Sequence, residues 1–489
     1  MYNSDQKQLK FENFYLPFGG KLRSDNRWVK LAKLIPWHEF EGLYVRTLAG
    51  TGMGAPARSV RVALGALIIK EHLGATDEET VEQIRENPYL QYFLGFEEYR
   101  DEAPFHPTMF VHFRKRLGKK VLADINEIIA AKAMKKTEAS GDSDNDDADP
   151  PSAPSEKKGK LIIDASCAPA DITFPTDLKI LNEARLKSEE IVDTLHEPVK
   201  GKQKKPRTYR RVARKEFLAA TKTRQLSPNN RRRVIRKQLG YLNRNINSIA
   251  RLADQSPVTI LNRRQYKNLL VIHEVLRQQQ WMHDHRTNRI DDRIVSISQP
   301  HVRPIKRGKP GAATEFGAKI SVSLINGYTF VDRLSWDNYN EGGDFKAQVE
   351  TYRRRFGCLP ESIHADKIYR TRENRNFCKS HGIRLSGPAL GRPPEQVGHE
   401  IRKQIYRDEV ERNAIEGKFG QGKRRFGLGR IMCKLAQTAE SAILLTFLVM
   451  NLARWLSAIL FWLFYQPNIL VEFDAHMRRN HFLNQYGET

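Results

Sequence analysis

Close to the C-terminal end, Ala442 to Tyr465 is almost wholly apolar and long enough to cross a bilayer. No other stretch constrains the fold as much, because such a run must lie either in lipid or in the middle of a protein core. Arg454 stands at its centre with Asn451 beside it. A charged side chain at mid-bilayer is costly, so the run reads as a buried or interface helix and no membrane partner is expected. Met1 to Leu16 mixes charges with aromatics and lacks the apolar run of a signal peptide, so export is not expected either. Cys167, Cys358, Cys378 and Cys433 are scattered without a C-x-x-C pair. That excludes a disulfide framework or a zinc ribbon and points to a reducing, cytoplasmic compartment.

Charge selects the partner. Of 489 residues, 82 are Lys or Arg and 57 are Asp or Glu, a formal charge of +25. A polyanion is implied, and nucleic acid leads because neutralising phosphates releases condensed counterions. The excess is concentrated: Glu197 to Ala250 holds 17 Lys and Arg against two Glu. Within it Ile235, Leu239, Leu242, Ile246 and Ile249 keep heptad spacing, and Asp254 to Pro257 offers a turn into a second helix carrying Leu269, Ile272 and Leu276. A helical hairpin with a basic outside follows, in which Arg231, Arg232, Arg233, Arg236 and Lys237, with Arg210 and Arg211, are the candidate phosphate contacts.

This hairpin interrupts a mixed α/β pattern. Residues 1–135 read as short helices, with a capping box at Thr76 and Glu79, a stop at Asn87-Pro88, and a basic exit through Arg114 and Lys115. They form either a DNA-binding helix-turn-helix region or a dimerisation domain. Residues 136–160, rich in Ser, Asp, Pro and Gly, form a linker. Leu161-Ile162-Ile163 is a short strand ending in Asp164, and Ile320, Val322 and Leu324 alternate up to a hairpin turn at Asn326-Gly327. Phe345, Val349, Tyr352 and Phe356 share one helix face before Gly357, and Ser362 to Ala365 is a strand ending in Asp366. A helix through Tyr406 to Lys418 follows. Segments 161–188 and 300–430 thus make the α/β domain, 189–299 its basic insertion after the first strand, and 431–489 apolar helices.

Two strands that each end in an aspartate, with a glutamate on a later helix, suit phosphodiester chemistry. Three carboxylates can hold two divalent cations, one activating the attacking oxygen and one stabilising the leaving oxygen. Hard oxygen ligands favour Mg²⁺, or Mn²⁺. At 100° per residue, Arg412, Glu416 and Lys423 fall at 0°, about 40° and about 20°, so one helix face carries all three. Arg412 can then hold Glu416 or a DNA phosphate, and Lys423 can reach a phosphate, by a bend if Gly417, Gly420 and Gly422 weaken the helix.

Three stretches carry a family likeness. Leu161 to Ser166, continuing through Ala170-Asp171-Ile172 and Pro175 to Arg185, comes first. Ala365-Asp366 with Tyr369 is the second, and Arg412 to Gly420 with Lys423 the third. Together they resemble the DDE transposases of bacterial insertion sequences. The resemblance implies an α/β ribonuclease-H-like catalytic domain with a mixed sheet, a helical N-terminal domain, and Asp164, Asp366 and Glu416 as catalytic metal ligands for two Mg²⁺ ions, assisted by Arg412 and Lys423. It further implies double-stranded DNA partners, the element's terminal inverted repeats and target DNA, cleavage that exposes a 3′-hydroxyl, strand transfer, a homodimer or higher assembly on DNA, and a bacterial, nucleoid-associated setting. Two positions depart from the family pattern: Glu409 stands where a Tyr precedes the Arg by three, and Ile368 stands where a Gly is common. The rival reading is a non-catalytic DNA-binding protein or repressor derived from a transposase. Asp171 and Asp177 are alternative ligands to Asp164, and His283-Asp284-His285 has ligand types but lies on a charged, solvated segment.

Overall fold

The computed structural model describes residues 15–16, 20–48, 56–139, 157–306, 314–388 and 399–464. Most of the expected linker, with its acidic run at 141–147, lies outside them, as do 1–14 and 465–489.

Seven helices come first: α1 Arg27–Leu34, α2 Trp37–Val45, α3 Val60–Leu73, α4 Asp77–Glu86, α5 Pro88–Leu94, α6 Met109–Arg116 and α7 Lys119–Ala139. Helix α3 starts where the Ser59 hydroxyl accepts the Val62 N–H and stops at Gly74, whose φ of 67° a side chain would resist. The capping of α4 is one-sided. Thr76 Oγ1 accepts the Glu79 N–H at 3.1 Å, while the Glu79 carboxylate takes a hydrogen bond from Gln83 instead of reaching back. Helix α7 runs to Ala139, so residues 136–139, expected in the linker, are helical.

One mixed sheet follows, with β1 Lys160–Pro169, β2 Arg303–Lys306, β3 Thr314–Ile325, β4 Tyr328–Ser335, β5 Ser362–Ala365 and β6 Arg384–Leu385. Strand β3 lies between β1 and β4 and is antiparallel to both, while β5 and then β6 continue the sheet on the other side of β1, parallel to it. The turn from β3 to β4 is Asn326-Gly327, both in the left-handed region at φ 50° and 81°. Strand β1 is longer than its apolar start predicts. Pairing with β3 from Ile162 to Pro169 carries it past Asp164, which sits mid-strand and not at an end.

Between β1 and β2 lie α8 Asp177–His196, α9 Arg210–Lys222, α10 Pro228–Ala253 and α11 Arg263–Asp284. Leu239, Leu242, Ile246 and Ile249 of α10 pack with Leu181 and Val192 of α8 and Ile272 of α11 in an apolar core of their own. Helices α12 Phe345–Phe356 and α13 Arg372–Ser380 flank β5, and α14 His399–Arg425 leads to α15 Ala436–Phe464.

Helix α15 carries the apolar run. It is long and apolar enough to cross a membrane, but much of it is buried against α3, α6, α7 and β4. Two of its polar residues, Asn451 and Arg454, tie it to the sheet. The fully buried Asn451 accepts the Thr329 N–H at 2.9 Å and donates to Thr329 O and Asn126 Oδ1, each at 2.8 Å, so α15, β4 and α7 are joined by a satisfied polar node. Arg454 reaches the surface and closes the β3–β4 turn by donating to Asn326 O at 2.9 Å. The N-terminal helices, the sheet, α14 and α15 share one continuous apolar core.

Candidate active site

Register brings the two aspartates together. Ile163 of β1 lies opposite Ala365 of the parallel β5, so the next residue on each chain, Asp164 and Asp366, are neighbours where β5 ends. Alternation sets their face. Ile162 pairs with His364, and His364 points at α14, with Nε2 3.4 Å from the Glu411 carboxylate, so Asp164 and Asp366 face α14 as well. Asp164 Oδ1 accepts the Ala165 N–H at 2.8 Å, and Asp366 Oδ1 accepts the Lys367 N–H at 2.7 Å. Burial, reinforced by the charges of Asp366 and Glu341, pushes the Asp164 carboxyl up to about 6, against the pull of the Ala165 N–H and the Arg412 guanidinium.

Helix α14 is continuous from His399 to Arg425, so Lys423 needs no bend to follow Glu416. Gly422 has a packing reason: a Cβ there would sit 3.1 Å from Leu428 and 3.3 Å from Met450 of α15. Glu416 is exposed and accepts from Arg412 Nη1 at 3.0 Å. Arg412 thus engages the third carboxylate while its charge also acts on Asp164, and among the described residues no three His, Cys, Asp or Glu side chains are grouped closely enough to hold a metal ion. The Asp164 and Asp366 pair has the hard-oxygen donors that a divalent cation needs, so these two fit one.

A family model described as "Transposase DDE domain" matches residues 363–453, and one described as "Transposase domain (DUF772)" matches residues 17–116. An uncharacterised protein of Rhizobium meliloti, ORF8 in the nfe locus, is 30% identical over 159 residues, which cover 32% of this chain and 68% of that protein. The chain belongs to the DDE transposases of insertion sequences. No solved structure matches it. The DDE match includes Asp366, Arg412, Glu416 and Lys423, whereas Asp164 lies before it.

Three residues beside the candidate site leave no mark in the sequence reading. Arg370 donates twice to Ala365 O, at 3.1 and 2.8 Å, and so anchors the strand end that presents Asp366. Glu341 sits in a 3-10 turn, Glu341–Asp344, pressed on the turn after Asp366 so closely that a Cβ on Gly342 would lie 2.7 Å from Ile368 O. Its carboxylate pairs with Lys319 of β3 at 2.9 Å. Asn374 ties both turns by donating to Gly342 O and Tyr369 O, and the buried Tyr369 hydroxyl has no hydrogen-bond partner among the described residues. The Gly-Gly pair after Glu341 was the one available signal. Glu409, in place of the family Tyr, is exposed and adds its charge to the surroundings of Arg370, while Tyr406 is exposed at 69%.

The remaining candidates divide sharply. Asp171 is paired with Arg430 at 2.6 Å and Asp177 with Arg293 at 2.6 Å, so both alternative ligands are engaged elsewhere. Arg114, expected at a basic helix exit, is buried and forked onto Asp77 of α4, because α15 covers that end of α6; its guanidinium is closed to DNA. Lys115 is exposed. Arg210 pairs with Asp193 at 2.7 Å and Lys237 with Glu216 at 2.6 Å, so each has a partner within the fold. Arg211, Arg231, Arg233 and Arg236 are exposed and Arg232 is half-buried.

Proposed function

We propose that this transposase binds the ends of its own element, cleaves the phosphodiester there to expose a 3′-hydroxyl, and joins that hydroxyl to target DNA. The observation that carries the reading is the pair Asp164 and Asp366, side by side on adjacent parallel strands and facing the helix of Arg412, Glu416 and Lys423. The strand order, an antiparallel β1–β3–β4 unit extended by parallel β5 and β6, supports a ribonuclease-H-like domain whose chain leaves after β1, α8 packing with the insertion helices. DDE transposase domains use divalent metals. Asp164, Asp366 and Glu416 would hold two Mg²⁺ or Mn²⁺ ions, which supply an activated attacking oxygen and a stabilised leaving oxygen. Arg412, once released from Glu416, is free to take a DNA phosphate, and Lys423 on the same helix face does likewise. A homodimer brings two ends together, in the bacterial cytoplasm on the nucleoid.

Incubating the purified chain with Mg²⁺ and linear DNA carrying candidate ends, then mapping nicks, tests the proposal. Nicks at the element boundary that vanish in Asp164→Ala, Asp366→Ala and Glu416→Ala, with end binding retained, are the expected result. Binding without any nick in the parent chain would leave the repressor reading in its place.

A further inference from the structure

Helices α10 and α11 do not close on each other at the end where α10 begins and α11 finishes. A groove of about 670 Å³ opens there, and its walls include Arg232, Arg233 and Arg236 from α10 and Gln280, His283 and Asp284 from α11. That volume lies within the range of ligand pockets. None of the three arginines has an ion-pair partner among the described residues, in contrast to Arg210 and Lys237 nearby. The single acid is occupied: the Asp284 carboxylate accepts from Gln280 Nε2 at 3.0 and 2.9 Å and lies 3.1 Å from His283 Nδ1. With Nδ1 so engaged, the other ring nitrogen of His283, Nε2, is buried and has no hydrogen-bond partner among the described residues.

The floor of the groove supplies an independent observation. Gly240 lies in the interior of α10, where glycine weakens a helix. Packing does not require it, since a Cβ at this position would meet nothing within 4 Å, and its backbone is ordinary helix. What a side chain there would do is project into the groove. An unforced glycine, three unpaired guanidinium groups and an unsatisfied imidazole nitrogen thus surround the same empty volume.

We infer that the α10/α11 groove takes the sugar-phosphate backbone of one DNA strand, with Arg232, Arg233 and Arg236 on the phosphates and the floor at Gly240 kept open for close approach. This rests on the DNA-binding reading above and extends it to a defined site remote in sequence from the carboxylates. Arginine suits the task because its planar fork matches phosphate oxygens.

Gly240→Gln in the full-length chain tests the inference, because it fills the groove and leaves every charge in place. Fluorescence anisotropy with a labelled 20-nucleotide single strand, and with the matching duplex, should show about a tenfold loss of affinity at fixed salt with an unchanged salt slope. Replacing Arg232, Arg233 and Arg236 together by Gln should instead flatten the slope of log affinity against log salt by up to about 2.7 on duplex. Circular dichroism should show parental helicity in both variants. A folded Gly240→Gln chain that binds DNA as the parent does overturns the inference and leaves DNA binding intact, whereas a parent chain that binds no DNA overturns both. Inorganic phosphate is the second probe. If Gly240→Gln loses phosphate binding but keeps DNA binding, the groove is a free-anion site and the assignment to a DNA strand falls.

Discussion

Replacing Asp164 by Asn should make the protein more stable at neutral pH and inactive. The folded chain holds the Asp164 carboxyl at about 6, against 3.8 for the free side chain, chiefly by burial and then by the charges of Asp366 and Glu341. Each pKa unit corresponds to about 1.4 kcal/mol, so ionised Asp164 costs the fold about 3 kcal/mol at any pH well above 6. The sign follows from the raised value. Below the unfolded pKa both states hold the proton and there is no penalty; as pH rises toward the folded value the unfolded chain loses its proton first, and stability falls. Asn keeps the Oδ1 that accepts the Ala165 N–H, so the substitution removes the charge and little else. Urea unfolding followed by tryptophan fluorescence should show Asp164→Asn more stable by about 2–3 kcal/mol at pH 7.5, with the gain shrinking toward zero near pH 4. Saturating Mg²⁺ should narrow the difference at pH 7.5, because a ligand that binds only the folded parent stabilises only the parent. A variant no more stable than the parent at pH 7.5, or a gain that persists unchanged at pH 4, would refute the reasoning.

Other outcomes follow from the same structure. Mg²⁺ or Mn²⁺ should support nicking, and Ca²⁺, with its larger and looser coordination, should support end binding with little cleavage; full nicking in excess chelator would rule out the metal assignment. Arg370→Met removes both hydrogen bonds to Ala365 O and should lower the nicking rate about 10- to 100-fold through misplacement of Asp366, without weakening end binding; an unchanged rate would show that Asp366 needs no such anchor. Asn451→Leu leaves Thr329 N–H and Asn126 Oδ1 without their partner inside the core and should cost about 3–5 kcal/mol in urea unfolding, a value below about 1 counting against the polar node.

What could be read in the sequence was local. Asn326-Gly327 demands a tight turn whatever surrounds it, and the face of Phe345, Val349 and Tyr352 with Gly357 behind it demands a helix and its stop. Short apolar runs followed by Asp likewise singled out Asp164 and Asp366, although their side-by-side placement comes from the β1–β5 register and not from the runs themselves. The end of β1 was not legible, because Ala165 to Pro169 has little strand propensity of its own and is extended by β3, about 150 residues away. Glu341 and Arg370 were missed for the same reason: one reaches the site by the docking of a loop and the other by reaching back five residues to a carbonyl, and neither leaves a periodic trace.

Basic residues show the same limit from the other side. Composition located the charge correctly in the segment from Glu197 to Ala250, yet it could not separate a lysine that meets a glutamate across two helices from an arginine that meets nothing. Lys237 and Arg236 are adjacent in sequence, and the turn of α10 points the first at Glu216 of α9 and the second into the groove beside α11. A one-residue step on a helix is 100° of rotation, enough to change a residue from structural to available. The strand that carries Asp164 runs directly into this insertion, and its end is held to the segment between α14 and α15 by the Ala170–Ile431 bridge and the Asp171–Arg430 pair. The insertion that carries the basic helices therefore leaves the sheet from the strand that carries Asp164, so that a strand of DNA seated on α10, as proposed, would be positioned through β1 relative to Asp164 and, across the β1–β5 pairing, Asp366.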